Sequence, residues 1–347
     1  MADLPETHST GEVAGTEHTL LVNFPDDVEE LELTHSRVRD LSALGLERFT
    51  HLKVITSKRI RAYYDQALGL RQNLISEITS LDHLTGLTEL ELYDNRIGAI
   101  QGLKNLTELT SLDLSFNLIK VIENLDTLTQ LELLYFVSNK IGKIENLCPF
   151  THLRMLELGS NRIRVIEGLD ALVNLEQLFL GKNKIAKLQV ALLHLNAIDL
   201  QKNLECLKKL RLLSIQSNRI TRIEGLDKLE ALEELYLDHN GIQRIEGLAN
   251  NHKLQVLDLG NNFIEKLENV DHLTELTELW LSGNKLESFQ DLERCCKPLK
   301  ELETVYLEHN PMQRASGATY RLKVKLAVPQ LKQIDATYCT PAEQQYV

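Results

Sequence analysis

The 347-residue chain carries 38 Lys and Arg against 50 Asp and Glu, a formal charge of −12. That balance argues against nucleic acid as the main partner, which needs a clustered basic face, and suits a basic protein surface better. Cys148, Cys206, Cys295, Cys296 and Cys339 lack metal-ligand spacing, so they read as reduced thiols; the opening MADLPETHSTGEVAGTEH has no basic and apolar signal regions, and no apolar run approaches a membrane span, so a soluble intracellular protein is expected.

In chain order, residues 1 to about 20 are polar, acidic and poor in large apolar side chains, and are expected to be a disordered tail. VEELELTHSRV, Val28 to Val38, reads as a degenerate first repeat with Ser36 where later repeats have asparagine. From there the asparagines keep time. Asn73, Asn95, Asn117, Asn139, Asn161 and Asn183 fall 22 apart, and Asn218, Asn240, Asn262 and Asn284 resume the step. Two intervals are long, 37 residues from Ser36 to Asn73 and 35 from Asn183 to Asn218, and deleting the 13-residue block 55–67 from the first or 190–202 from the second restores the repeat pattern. Surface loops are one reading, since a repeat array tolerates insertions on one face. The equal in-frame lengths and clean joins motivate another, that one or both blocks are translated short introns or a gene-model error.

The pattern L-x-x-L-x-L-x-x-N-x-I is that of a leucine-rich repeat. In each unit the L-x-L pair is expected to face inward from a short strand, and no unit can bury its leucines without neighbours. The asparagine sits where the chain leaves the strand, so its amide is assigned to buried turn backbone. Connections such as VIENL (Val121 to Leu125) and VIEGL (Val165 to Leu169) place Asn or Gly at a tight turn. Twenty-two residues leave too little chain for long helices, so turns and 3₁₀ segments are expected on the convex side. The fold class is therefore an α/β solenoid: a curved parallel sheet with a turn-rich convex side, over residues 21–310. Pro311 ends the repeats. A C-terminal cap and tail, 311–347, is expected to hold a short helix ending before Pro329 and one closing strand around Leu331 to Ile334.

The residue between the two strand leucines gives Glu32, Gly69, Glu91, Asp113, Tyr135, Glu157, Phe179, Ser214, Tyr236, Asp258, Trp280 and Tyr306. Alternation along a strand places all twelve outside the core, on one concave surface. Five are aromatic and five acidic, whereas strand propensity alone would also bring Val, Ile and Thr. Aromatics interleaved with carboxylates read as a protein-binding stripe. No H-E-x-x-H, phosphate-cradling loop or G-x-S-x-G elbow occurs, and an open face is expected to leave its carboxylates too solvated for acid–base work. Neither an enzyme nor a cofactor is expected.

The phrases LELGSNRIR, LFLGKNKI, LETVYLEHNP and the closing QIDATY resemble the leucine-rich-repeat regulators of protein phosphatase 1, the regulatory subunit 7 family, over roughly residues 28 to 338. The resemblance implies that the concave face binds the phosphatase catalytic subunit through Asp113, Tyr135, Glu157, Phe179, Asp258, Glu278, Trp280 and Tyr306, with Tyr135 standing where phenylalanine is usual. It also implies residence in nucleus and cytoplasm; the chain is expected to be monomeric before complex formation, and its charge and lack of a long apolar run lead to the expectation of no nucleic-acid or membrane partner. The rival readings are a structural adaptor of cilia or microtubules, and a component of an RNA–protein particle; the second needs a basic accessory surface, which the sequence does not display.

Overall fold

The coil from Leu153 to Leu175 shows how the repeat folds. Leu153, Leu156, Leu158, Ile163, Ile166, Leu169, Leu172 and Leu175 are all at most 1% exposed. Burial of each such side chain contributes about 1.5–3 kcal/mol, but only because the coils on either side cover the flat ends of the stack.

The computed structural model describes residues 17–28, 31–49, 51–52, 68–188 and 204–340. Residues 1–16 of the expected tail, the blocks 55–67 and 190–202, and residues 341–347 lie outside the described residues. The sheet runs strictly in sequence order. Its strands are β1 Leu31–Glu32, β2 Leu68–Gly69, β3 Glu89–Glu91, β4 Ser111–Asp113, β5 Leu133–Tyr135, β6 Met155–Glu157, β7 Gln177–Phe179, β8 Leu212–Ser214, β9 Glu234–Tyr236, β10 Val256–Asp258, β11 Glu278–Trp280, β12 Thr304–Tyr306, β13 Gln333–Ile334 and β14 Thr337–Tyr338. All neighbours pair parallel except the last two. Leucine pairs with leucine from Leu90 through Leu112, Leu134 and Leu156 to Leu178. Leu178 then pairs with Leu213, so the long interval leaves the register intact.

The asparagine ladder ties each coil to the previous one. Asn161 Nδ2 donates to the carbonyls of Phe136, Leu158 and Gly159 at 2.8, 3.1 and 3.1 Å, and its Oδ1 accepts from the Ile141 N–H at 3.0 Å. Asn218 Oδ1 accepts from Ile185 N, carrying the ladder across the long interval. The residue before each asparagine turns left-handed, as at Ser138, Ser160 and Lys182 with φ of 54, 55 and 53°. The convex connections make their own left-handed turn. Asn146 has φ 60°, and its amide donates to Ile122 O at 2.7 Å. At Gly168, φ 68°, a Cβ would come within 2.6 Å of Ile144 O, which is why only small or self-bonding residues serve there.

Both ends are closed by polar backbone capture. Glu17–Thr19 form a 3₁₀ turn within the span expected to be a tail, and the Glu17 carboxylate accepts from the N–H groups of Arg39 and Asp40. At the other end the interval from Asn284 to Asn310 is 26 residues, four over the period, and it accommodates α1, Phe289–Cys296, capped by Ser288 and burying Leu292 and both adjacent cysteines. Pro311 opens a helix, α2 (Pro311–Ser316), as well as ending the repeats: its fixed φ and missing N–H suit the first helical position. Then comes α3, Tyr320–Ala327, ending before Pro329 as expected. The single closing strand expected there is corrected to an antiparallel pair, β13 with β14. Asp335, left-handed at φ 52°, makes the turn between them. Its Oδ1 accepts from the Leu307 and Glu308 N–H groups at 2.7 and 3.1 Å, ending the ladder with a carboxylate.

Candidate protein-binding face

Each central strand buries its middle leucine and turns the two flanking residues to the concave side, so that face carries two rows. Backbone register lines up Asp113, Tyr135, Glu157 and Phe179, and farther along Tyr236, Asp258, Trp280 and Tyr306, with Ser214 between the groups. Glu278 belongs to the second row, two residues before Trp280. All eight residues expected from the sequence therefore stand on one sheet face, but not in one environment.

At the N-terminal end the row is electrostatic. Arg71 lies 3.5 Å from Glu91 and 3.9 Å from Asp113, and its guanidinium covers the Tyr93 ring at 4.5 Å. Tyr93 packs against Phe116 with ring centroids 4.7 Å apart. Burial and the charge of Glu91 push Glu89 up to about 7. Burial raises Asp113 too, against the pull of its bonds to Ser115 and of Arg71, and burial with the Asp113 charge raises Glu157. Amid these carboxylates the Tyr135 hydroxyl is pushed up to about 12, first by burial, and stays neutral.

At the C-terminal end the row is aromatic. The Trp280 ring meets Tyr306 edge-on at 5.3 Å and Tyr236 at 6.3 Å. Carboxylates serve here as acceptors: Trp280 Nε1 donates to Glu278 at 3.0 Å and the Tyr236 hydroxyl to Glu234 at 2.6 Å. Gln333, from the cap, donates to the Tyr306 hydroxyl at 2.9 Å. The rings are thus held in place before any partner arrives, which lowers the entropy cost of ordering them.

Two expectations are corrected. Asp258 is only 2% exposed and Ser214 8%, although both were expected to project freely. Asp258 turns back to accept from the Gly260 N–H at 2.9 Å and from Gln216 at 3.4 Å. Nor does the open face leave its carboxylates at ordinary values, since burial raises Asp258 to about 6 and Glu89 to about 7. Among the described residues no His, Cys, Asp and Glu group is arranged to hold a metal ion, and no helix is long and apolar enough to cross a membrane. The residues missed in the sequence are Arg71, Tyr93, Glu89, Glu234 and Gln333. The repeated phrase E-L-x at β3, β9 and β11 was the available sign for the two glutamates; Gln333 lies outside the repeats and gave none.

The model of tandem leucine-rich repeats, described as two copies of the repeat, matches residues 151–194, 208–250, 230–275 and 252–294. The chain folds as a solenoid of leucine-rich repeats. An internalin of Listeria monocytogenes superposes with a TM-score of 0.70 over 90% of this chain and 88% of its own, at 22% identity. A leucine-rich-repeat protein of Leptospira interrogans gives 0.61 over 83% and 73%, at 23% identity. Those likenesses concern the fold alone. The sequence relatives are phosphatase regulators, in keeping with the resemblance in the repeat phrases. Protein phosphatase 1 regulatory subunit SDS22 of Schizosaccharomyces pombe is 50% identical over 58 residues, 17% of this chain and 18% of that one. Protein phosphatase 1 regulatory subunit 7 of Mus musculus is 57% identical over 42 residues, 12% of this chain and 11% of that one. The matched segments thus span less than a fifth of either relative.

Proposed function

We propose that this chain is a non-enzymatic regulatory subunit that binds the catalytic subunit of protein phosphatase 1 with its concave face. The observation that carries the reading is the platform of Tyr236, Trp280 and Tyr306 edged by Glu234 and Glu278. Large rings at the centre supply area to bury, and carboxylates at the margin steer basic residues toward it. The names of the relatives supply the partner's identity. On the same reading the protein is monomeric before it meets the phosphatase and works in nucleus and cytoplasm.

Isothermal titration of the full chain with purified catalytic subunit tests the proposal. A 1:1 complex whose affinity falls with added salt is expected. Absence of heat at micromolar concentrations, together with co-pelleting of the chain with microtubules, would shift the reading to the structural adaptor.

A further inference from the structure

Stacking creates a surface that the linear sequence hides. The residue following the ladder asparagine is Lys140, Arg162, Lys184 and Arg219 in four successive coils. Each donates its backbone N–H to an isoleucine carbonyl of the preceding coil at 2.8 Å, so the four are locked into one row at the coil spacing, about 4.8 Å per step. Both sequence neighbours of each point to the core or the ladder, which leaves the basic side chain only the outer edge. Arg164 stands beside the row, exposed. None of these five has an ion-pair partner among the described residues.

The opposite edge follows the other rule. Arg154 lies between Glu132 and Glu176, at 3.8 and 3.1 Å, and Arg211 meets Glu233 at 2.6 Å. Coils there alternate in sign and neutralise one another. Four like charges repeated at one-coil spacing on a chain of charge −12 are instead mutually repulsive, and no ion pair among the described residues offsets that cost. The expectation of no basic accessory surface is corrected here: residues 22 or more apart in sequence make one.

We propose that this edge docks an extended acidic segment of a partner protein, independently of the concave face. Spacing and sign suit a run of carboxylates laid along the coils. The apolar side chains on the same edge, Leu118 at 42% and Val165 at 37% exposure, favour a peptide with aliphatic residues among its acids. A single-stranded nucleic acid would want aromatic rings for its bases, and the row from Lys140 to Arg219 offers none.

The test is fluorescence anisotropy with a labelled dodecapeptide of repeated Glu-Glu-Leu, titrated with the full chain at low and physiological salt. Binding that weakens about tenfold or more in the variant Lys140→Ala/Arg162→Ala/Lys184→Ala/Arg219→Ala, with a flatter salt dependence, is expected, while Trp280→Ala binds the peptide like the parent. Circular dichroism and thermal melting of the quadruple variant establish that it folds, as side chains outside the core predict. A second variant, Arg162→Glu/Arg219→Glu, should also lose the peptide. Equal binding by the folded variants, no binding by the parent, or binding of labelled oligouridylate in preference to the peptide overturns the proposal.

Discussion

The two ends of the concave face use the same residue types in opposite ways. Around β3–β6 carboxylates crowd one another, and burial drives Glu89, Asp113 and Glu157 toward the neutral form. Around β9–β12 the carboxylates hold rings, with Glu234 on Tyr236 and Glu278 on Trp280. The first end is short of positive charge, with Arg71 close to both Glu91 and Asp113, whereas the second has its polar groups largely satisfied and offers area. A basic partner side chain gains most at the first end, and an apolar one at the second.

Removing the ring at the centre of the aromatic end should have the largest effect. Trp280→Ala is expected to weaken binding of the phosphatase catalytic subunit by roughly 2–4 kcal/mol in calorimetric titration, with an unchanged melting temperature because the ring lies outside the core. An unchanged affinity would mean that this end is not the anchor. The frame beneath the acidic end is probed by Asn161→Ala, which strips partners from the Ile141 N–H and the Phe136 and Leu158 carbonyls. A loss of about 1–3 kcal/mol in chemical denaturation is expected; an unmoved midpoint would show that the ladder does not hold the coils.

The acidic end should respond more weakly and with a different signature. Asp113→Asn with Glu157→Gln is expected to lower affinity by about 1 kcal/mol at low salt, with the difference shrinking as salt is added. Affinity of the parent should also fall between pH 8 and pH 6, as Glu89 near 7 and Asp258 near 6 take up protons. A salt-independent loss would indicate lost shape rather than lost charge. The smallest effect concerns stability alone. Glu89 is raised in the folded chain from an ordinary 4.5 to about 7, so folding binds protons more tightly, and stability declines as pH rises through that window. Glu89→Gln should therefore gain stability at pH 8 and none at pH 4. The half-buried position limits the gain to about 1 kcal/mol. Urea titrations at the two pH values decide it, and equal midpoint shifts would contradict the assignment.

The period, the parallel order and the asparagine ladder were legible because each repeats at a fixed offset, and a fixed offset in a solenoid is a fixed place in space. Asp113, Trp280 and their row could be placed for the same reason. What was not legible depends on neighbours in other coils. Whether Asp258 projects or turns back is decided by Gly260 and Gln216, and whether Lys140 meets a carboxylate is decided by what stands a coil away. The cap escaped for another reason. Outside the repeats no offset applies, and the hairpin depends on Asp335 finding the free N–H groups of Leu307 and Glu308.

The central claim, that the concave face is where the phosphatase sits, can be read from one nucleus. The chain has a single tryptophan, Trp280, so protein labelled with 5-fluorotryptophan gives one fluorine resonance for the face. Addition of unlabelled catalytic subunit is expected to shift and broaden that resonance in proportion to the complex formed. Complex formation established by gel filtration, with the resonance left where it was, would contradict the account.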